Sequence, residues 1–466
     1  FQKMIILLIW VVVLIAVVLL YCRQVYSSFS RNGIKHFKPI PLLGNMGKID
    51  FVPSWQYWSN VNMFKKNRFV GSFQFLSESI VLRDVELIKK ITVKDFEYFV
   101  DHRSFATDEF FGRTLFMLQG QEWKDMRSSL SPAFTSSKIR LMIVASGADC
   151  LEVDCKDLTT RYSNDVIASC AFGLKVDSHS DESNQFYVMG KTATNFTLWR
   201  MLLFFFFNLL IKYLPDAIKN FFTNLVLETM KDREVRNIIR PDMIHLLMEA
   251  KKGANTSISH AKWKDNDLVA QAFLFFLAGF ETVSSCMSFL LYELAVNPDV
   301  QERLALEIRE HVTKKGGKFD FNSIQNMTYL DMVVSEVLRR WPPAVAMDRV
   351  YYIVSFKTFL IVIIPAFAFH RDPKYFPEPE KFDPERFSEE NKHKINQNAY
   401  SPFGHGPRNC IGSRFALCEV KVMVYQLLQH MEVSPCEKTC IPAKLATDNV
   451  NIRLEGGHWL RFRLRK

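Results

Sequence analysis

Residues 403–412 read Phe-Gly-His-Gly-Pro-Arg-Asn-Cys-Ile-Gly, and no other stretch restricts the fold of this chain as tightly. The spacing Phe403-x-x-Gly406-x-Arg408-x-Cys410-x-Gly412 would arise by accident in a chain of 466 residues roughly once in 10⁴ sequences at average residue frequencies. Each residue type has a physical use. The glycines let backbone lie flat against a planar group where a Cβ would collide, and Arg408 can reach an acid at that group's edge. Beyond the loop, Phe415, Leu417, Val420, Val424, Leu427 and Leu428 recur at helical spacing. Cys410 therefore stands at the mouth of an amphipathic helix, where free N–H groups and the helix dipole favour a thiolate. Cys418 lacks such flanks and reads as ordinary packing.

A thiolate presented by a glycine-lined loop fits the axial ligation of a haem iron. Cysteine usage argues against other roles. The nine cysteines are odd in number and contain no Cys-x-x-Cys, which excludes a zinc ribbon and disfavours a disulfide framework, and points to a reducing compartment. The net charge of +10 comes from scattered Lys and Arg, a pattern that speaks for a membrane surface or an acidic protein partner and not for nucleic acid.

Residues 4–20 are uninterrupted apolar sequence, and Tyr21 and Cys22 extend them to the length of a bilayer span. Arg23, Arg31, Lys35 and Lys38 follow, against Lys3 alone before, so the bulk of the chain is expected on the cytosolic side of a single-pass anchor, with the endoplasmic reticulum as the membrane. The expected organisation is an anchor at 1–22, a polar linker with Pro39 and Pro41 at 23–41, and one catalytic domain at 42–466. Residues 69–76 and 80–82 predict a hairpin. A second apolar stretch, 268–294, carries Glu281, Gln271 and Thr282, which marks it as a buried central helix, capped by Asp265 or Asp267 and ended by Asn297-Pro298. Residues 201–210, with four successive phenylalanines, are core or a surface that dips into lipid.

Four further stretches gain meaning beside the cysteine loop. Ala278-Gly279-Phe280-Glu281-Thr282 offers small residues for close approach to a flat cofactor, then an acid and an alcohol suited to proton delivery. Glu336 and Arg339 share a helix face at i and i+3, and Arg386 supplies a second guanidinium for a buried network. Trp123 and Arg127, at i and i+4, can point at one haem propionate. Singly these are weak signals. Their order along the chain resembles the cytochrome P450 superfamily. The stretches Cys155-Lys-Asp-Leu, Asn164-Asp-Val-Ile-Ala-Ser-Cys-Ala-Phe-Gly173 and Arg240-Pro-Asp-Met-Ile-His-Leu-Leu247 resemble its insect microsomal branch, associated with xenobiotic metabolism.

The resemblance implies a mostly α fold with small β-sheets, preceded by one transmembrane helix. It implies haem b (iron protoporphyrin IX) with Cys410 as axial ligand. Trp123, Arg127, Arg349, Arg408 and His102 become propionate partners, Phe403, Gly406 and Gly412 shape the loop, Glu281 and Thr282 form a proton relay, and Glu336, Arg339 and Arg386 form a structural triad. The implied reaction inserts one atom of O₂ into a lipophilic molecule, a xenobiotic or an endogenous hormone or lipid. Electrons would come from NADPH through cytochrome P450 reductase, with cytochrome b5 as a further donor. Lys124, Arg414 and Lys421 are the expected basic contacts for that partner. The chain departs from the family between Arg349 and His370 and between Arg140 and Cys155, where it is shorter. Two alternatives stay open: a reductase-independent isomerase or dehydratase of oxygenated lipids, and a haem-binding membrane protein impaired by the short segments.

Overall fold

A computed structural model describes residues 2–45, 67–103, 110, 112–130, 151–181, 183–194, 216–240, 242–252, 263–316, 321–353, 358–446 and 451–465. The longer helices are α1 (Gln2–Tyr26), α2 (Gly120–Leu130), α3 (Cys155–Ile167), α4 (Gln185–Thr194), α5 (Asp216–Arg236), α6 (Met243–Lys252), α7 (Asp265–Val296), α8 (Pro298–Lys314), α9 (Thr328–Arg340) and α10 (Ser413–His430). The strands are β1 (Phe69–Gln74), β2 (Ser77–Leu82), β3 (Leu151–Asp154), β4 (Met347–Ile353), β5 (Thr358–Ile364), β6 (Met431–Pro435) and β7 (Trp459–Leu464). Helix dominates, with two small sheets, as the sequence predicts. Residues 131–150 and the phenylalanine run at 201–210 lie outside the described residues.

Burial separates the two long apolar helices. Residues 4–20 of α1 are exposed almost throughout, as an anchor helix in lipid requires, whereas α7 is buried along most of its length. A helix apolar on all sides is stable only where neighbours cover every face. Around α7 these are α3, α4, α5, α9, α10 and strand β6. Its start differs from expectation: the N-cap is Lys264, whose N–H donates to the Asp267 carboxylate at 2.9 Å, so the acid reaches back from the first turn. The same carboxylate takes Arg113 Nε at 2.6 Å, a tertiary contact that no cap rule contains. Asn297 and Pro298 end α7 and open α8 as predicted.

The first sheet has the order β1-β2-β5-β4. The predicted hairpin forms, with Phe69 opposite Leu82 and Gln74 opposite Ser77. The three residues 77–79 extend β2 instead of making the turn, which is taken by Phe75 at φ 54°. Strand β5 runs parallel to β2 and antiparallel to β4, so the short segment between Arg349 and His370 still makes both strands. The second sheet, β3-β7-β6, is antiparallel and covers one end of α7. Within the stretch expected as a linker, α1 continues to Tyr26, a helical turn follows at Ser28–Arg31, and Phe29 and Phe37 are buried.

Candidate active site

The cysteine loop is held by its own backbone. Cys410 N–H donates to the Phe403 carbonyl at 2.8 Å and Asn409 N–H to the Gly406 carbonyl at 3.0 Å. Gly404 and Gly406 take φ of 78° and 71°, which L side chains rarely adopt. The use of Gly406 differs from the sequence reading. A Cβ there would lie 1.9 Å from the Thr92 carbonyl oxygen, so this glycine permits a backbone crossing and does not line the cavity. Gly412 precedes α10, and both it and Phe403 line the cavity, whose volume is about 380 Å³.

Cys410 presents its free surface to that cavity. Burial pushes its thiol pKa up, against the smaller opposing effects of the Gly412 N–H and the Arg127 charge. Burial thus opposes the anion at Cys410, and a bound cation would offset that cost.

A belt of cations lines part of the cavity. Trp123 and Arg127 of α2 both reach it. Arg408 lies over the Trp123 ring at 3.9 Å and donates to the carbonyls of Val100 (2.8 Å) and Leu118 (2.7 Å), with the Asp101 carboxylate at 3.3 Å. Burial lowers its pKa to about 9. Arg127 donates to Asn409 twice, at 2.9 and 3.0 Å, and so clamps the cysteine loop. Arg349 on β4 is only 1% exposed; it donates to the Asp348 carbonyl at 2.7 Å, while its Nε has no partner. Burial brings its pKa to about 10. The His102 ring stacks on Phe116 and bonds the Asp348 carboxylate at 3.0 Å, with burial holding its pKa below the ordinary value. Asp348, absent from the sequence reading, also accepts the Arg103 N–H at 2.7 Å. A buried guanidinium with an unsatisfied donor calls for an anion. A planar iron chelate carrying two carboxylates, held between Cys410 and this belt, meets that demand.

Helix α7 supplies another part of the cavity wall. Ala278 and Thr282 face the cavity, and the Thr282 hydroxyl donates to the Ala278 carbonyl at 2.7 Å. Gly279 has a packing role as well: a Cβ there would lie 2.4 Å from Ile167 Cδ1 of α3. Glu281 does not stand beside Thr282 at the cavity. Its carboxylate pairs with Lys156 Nζ of α3 at 3.1 Å, and the same ammonium donates to Ser284 and Ser285 at 2.6 and 3.1 Å. Neighbouring residues of a helix point about 100° apart, so one of the two turns away. Sequence reading missed Lys156, and no local signal marks it.

The expected triad forms beneath the loop. Glu336 and Arg339, both 0% exposed, make two parallel hydrogen bonds at 2.7 and 2.8 Å. Arg386 approaches Glu336 less closely, at 3.5 Å, and donates instead to the Glu378 carbonyl at 2.9 Å. Arg339 also donates to the His370 carbonyl at 2.8 Å. The His370 ring donates through Nδ1 to the Arg339 carbonyl (3.0 Å) and accepts at Nε2 the N–H of Ser401, next to the cysteine loop (2.9 Å). Only the neutral ring satisfies both contacts.

Burial lowers the His370 pKa from 6.5 to about 3, and buried His458 behaves alike. Below the unfolded value the unfolded chain takes up protons that the folded chain excludes. This stabilisation is complete above pH about 6.5 and is lost as pH falls from there, by up to about 1.4 kcal/mol per pH unit for each ring. Buried Glu419, its pKa raised to about 8, works in the opposite direction over this range, so the fall in thermal unfolding midpoint between pH about 6.5 and about 5 should be clearest in Glu419→Gln, where the two rings act without it. A midpoint unchanged over that range in this variant would refute neutral, locked imidazoles.

Of the basic residues expected to meet a partner, Lys124 and Arg414 are exposed. Lys421 is not. It is buried, paired with Asp331 at 2.6 Å and donating to the Gln325 carbonyl at 2.9 Å, and so cannot contribute to a docking surface.

Comparison with known proteins agrees with this geometry. A model of the cytochrome P450 family matches residues 34–455. The chain is 43% identical to cytochrome P450 9e2 of Blattella germanica over 93% of each chain. It is 41% identical to probable cytochrome P450 9f2 of Drosophila melanogaster over 93% of this chain and 94% of that one. Against probable cytochrome P450 6a13 of Drosophila melanogaster identity is 37%, over 94% and 95%. A cysteine loop and a helix-borne threonine lining one cavity, in a chain this similar to insect P450s, lead to one conclusion: the chain belongs to the cytochrome P450 family, a haem-iron monooxygenase that takes O₂ and a lipophilic substrate.

Proposed function

We propose that this protein oxidises lipophilic xenobiotics, such as insecticides or plant toxins, or endogenous hormones and lipids, at the endoplasmic reticulum membrane. NADPH–cytochrome P450 reductase supplies the electrons, and cytochrome b5 serves as a second donor. Cys410 would bind the haem iron, Arg349, Arg408, Arg127, Trp123 and His102 would hold its carboxylates, and Thr282 would manage protons. The observation that supports the reading is that Cys410 and Thr282 line the same largely apolar cavity. When bound, haem supplies dioxygen activation and the insertion of one oxygen atom, with thiolate donation favouring O–O cleavage.

The chain's residues do the rest. The apolar walls, among them Phe116, Phe275 and Leu338, exclude bulk water and accept an uncharged substrate. The cationic belt neutralises the carboxylates that the cofactor brings into a buried site. Thr282 holds a hydroxyl proton at the cavity wall, ready to donate when its bond to Ala278 is exchanged. Glu281, turned from the cavity and held by Lys156, is the acid from which that proton would be replaced through solvent.

The test is turnover with NADPH and reductase. Wild-type protein should couple NADPH use to product. Thr282→Ala should still bind haem and substrate, yet divert most of its NADPH into hydrogen peroxide, with product falling by about 10²-fold or more, the range for loss of a general acid. Undiminished coupling would remove Thr282 from the reaction, and turnover without reductase would favour a lipid isomerase.

A further inference from the structure

The pair formed by His102 and Asp348 has a proton count that haem must change. The His102 ring lines the cavity, is only 8% exposed, and stacks on Phe116 with 4.7 Å between ring centres. Its Nδ1 lies 3.0 Å from Asp348 Oδ1, while Asp348 Oδ2 accepts the Arg103 backbone N–H at 2.7 Å. Charged neighbours of the ring are Asp348 and Arg349 of β4, Arg408 of the cysteine loop, and Asp101 and Arg103 on either side of it in the chain. Burial opposes a charge on Asp348, yet the bonds from His102 and the Arg103 N–H, with the charges beside them, hold its carboxyl below the ordinary value. An ionised carboxylate can only accept, so Nδ1 must be the protonated nitrogen. Burial, helped by the charges of Arg349 and Arg408, lowers the pKa of the ring and keeps it neutral near pH 7. A neutral ring with its proton on Nδ1 has a bare Nε2, which is an acceptor. The carboxylate of a haem is an acceptor too, and two acceptors cannot bond.

We propose that haem binding is coupled to proton uptake at the His102–Asp348 pair: one proton enters from solvent with the cofactor's carboxylate, and Nε2–H then donates to that carboxylate. Such coupling exists only if His102 is a carboxylate partner of the haem, as in the function proposed for this chain. The incoming negative charge makes the second ring proton favourable, and Asp348, by fixing the tautomer, makes it necessary. Asp348 is thus a positioning residue for His102. The sign of the pH dependence follows. The pair's contribution to haem affinity is complete below the lowered pKa of the ring without haem, and is lost as pH rises from there to the raised pKa of the ring with haem, by up to about tenfold per pH unit. The Cys410 thiol, which gives up its proton on ligation, does so in every variant compared and cancels between them.

Transfer of haem from the full, haem-loaded chain to an excess of haem-free myoglobin, followed between pH about 6 and about 9, tests this. Wild-type transfer should quicken as pH rises. His102→Leu should lack that component and transfer haem about as fast at low pH as the wild type does at high pH. Asp348→Asn should be slow and lack it as well: the amide N–H in the place of Oδ1 donates to Nδ1, the amide oxygen still accepts the Arg103 N–H, and the neutral ring then carries its proton on Nε2. A purely structural role for Asp348 would instead give faster loss at every pH, and that result in a variant that keeps its red-shifted carbon monoxide band would overturn the proposal. So would the wild-type pH dependence retained in Asp348→Asn or in His102→Leu. A His102→Leu protein that holds haem as firmly as the wild type at every pH would remove His102 as a carboxylate partner, and the coupling would fall with that reading. One measurement needs no substitution. Wild-type chain loaded with iron protoporphyrin IX dimethyl ester, whose esters carry no charge, should lose the rise with pH, and an undiminished rise would overturn the coupling.

Discussion

Cys410→Ala should abolish reductase-driven turnover and remove the red-shifted carbon monoxide band of the reduced protein. The change deletes only a sulfur. The loop is tied by the Cys410 N–H to Phe403 and by Arg127 to Asn409, and neither bond involves the side chain, so the cavity should survive. Burial raises the thiol pKa, so iron would add the positive charge that favours the thiolate. Haem affinity should fall together with the band. Cys410→His should restore some haem binding with an imidazole-type band at shorter wavelength. An unchanged red-shifted band in Cys410→Ala would end the assignment.

Glu336→Ala should be the most destabilising single substitution in the buried frame. It leaves Arg339, fully buried, without its carboxylate and met only by the carbonyls of His370 and Lys381, and removes the acceptor for the Asp383 N–H at 2.9 Å. Breaking such a pair costs about 3–5 kcal/mol, a large part of the roughly 5–15 kcal/mol that holds a typical domain folded. The urea midpoint of Glu336→Ala should drop accordingly, and little protein should retain haem. Arg386→Ala should be much milder, about 1 kcal/mol, because that guanidinium stands 3.5 Å from the carboxylate and spends its hydrogen bond on a backbone carbonyl. Equal losses in the two variants would show that Arg386 carries more of the network than its geometry allows.

What could be read from residues alone was whatever depends on neighbours in the chain. Cys410 at a helix mouth, the buried α7, the exposed apolar α1 and the hairpin of β1 and β2 each follow from periodicity, turn residues or an uninterrupted apolar run, and each is present. The pairing of Glu336 with Arg339 was legible for the same reason, since i and i+3 share a helix face.

Tertiary structure decided the rest. Thr282 and Glu281 are adjacent in sequence, yet only packing against Lys156 of α3 determines which of them faces the cavity. Gly406 owes its identity to Thr92, more than three hundred residues away, and Lys421 is buried because Asp331 and Gln325 lie over it. Arg349 becomes a buried cation facing the cavity only when β4 pairs with β5. A local pattern sets which way the backbone runs. Which side chain is buried, paired or left facing a cofactor depends on what distant segment arrives at each face, and that is a property of the assembled core.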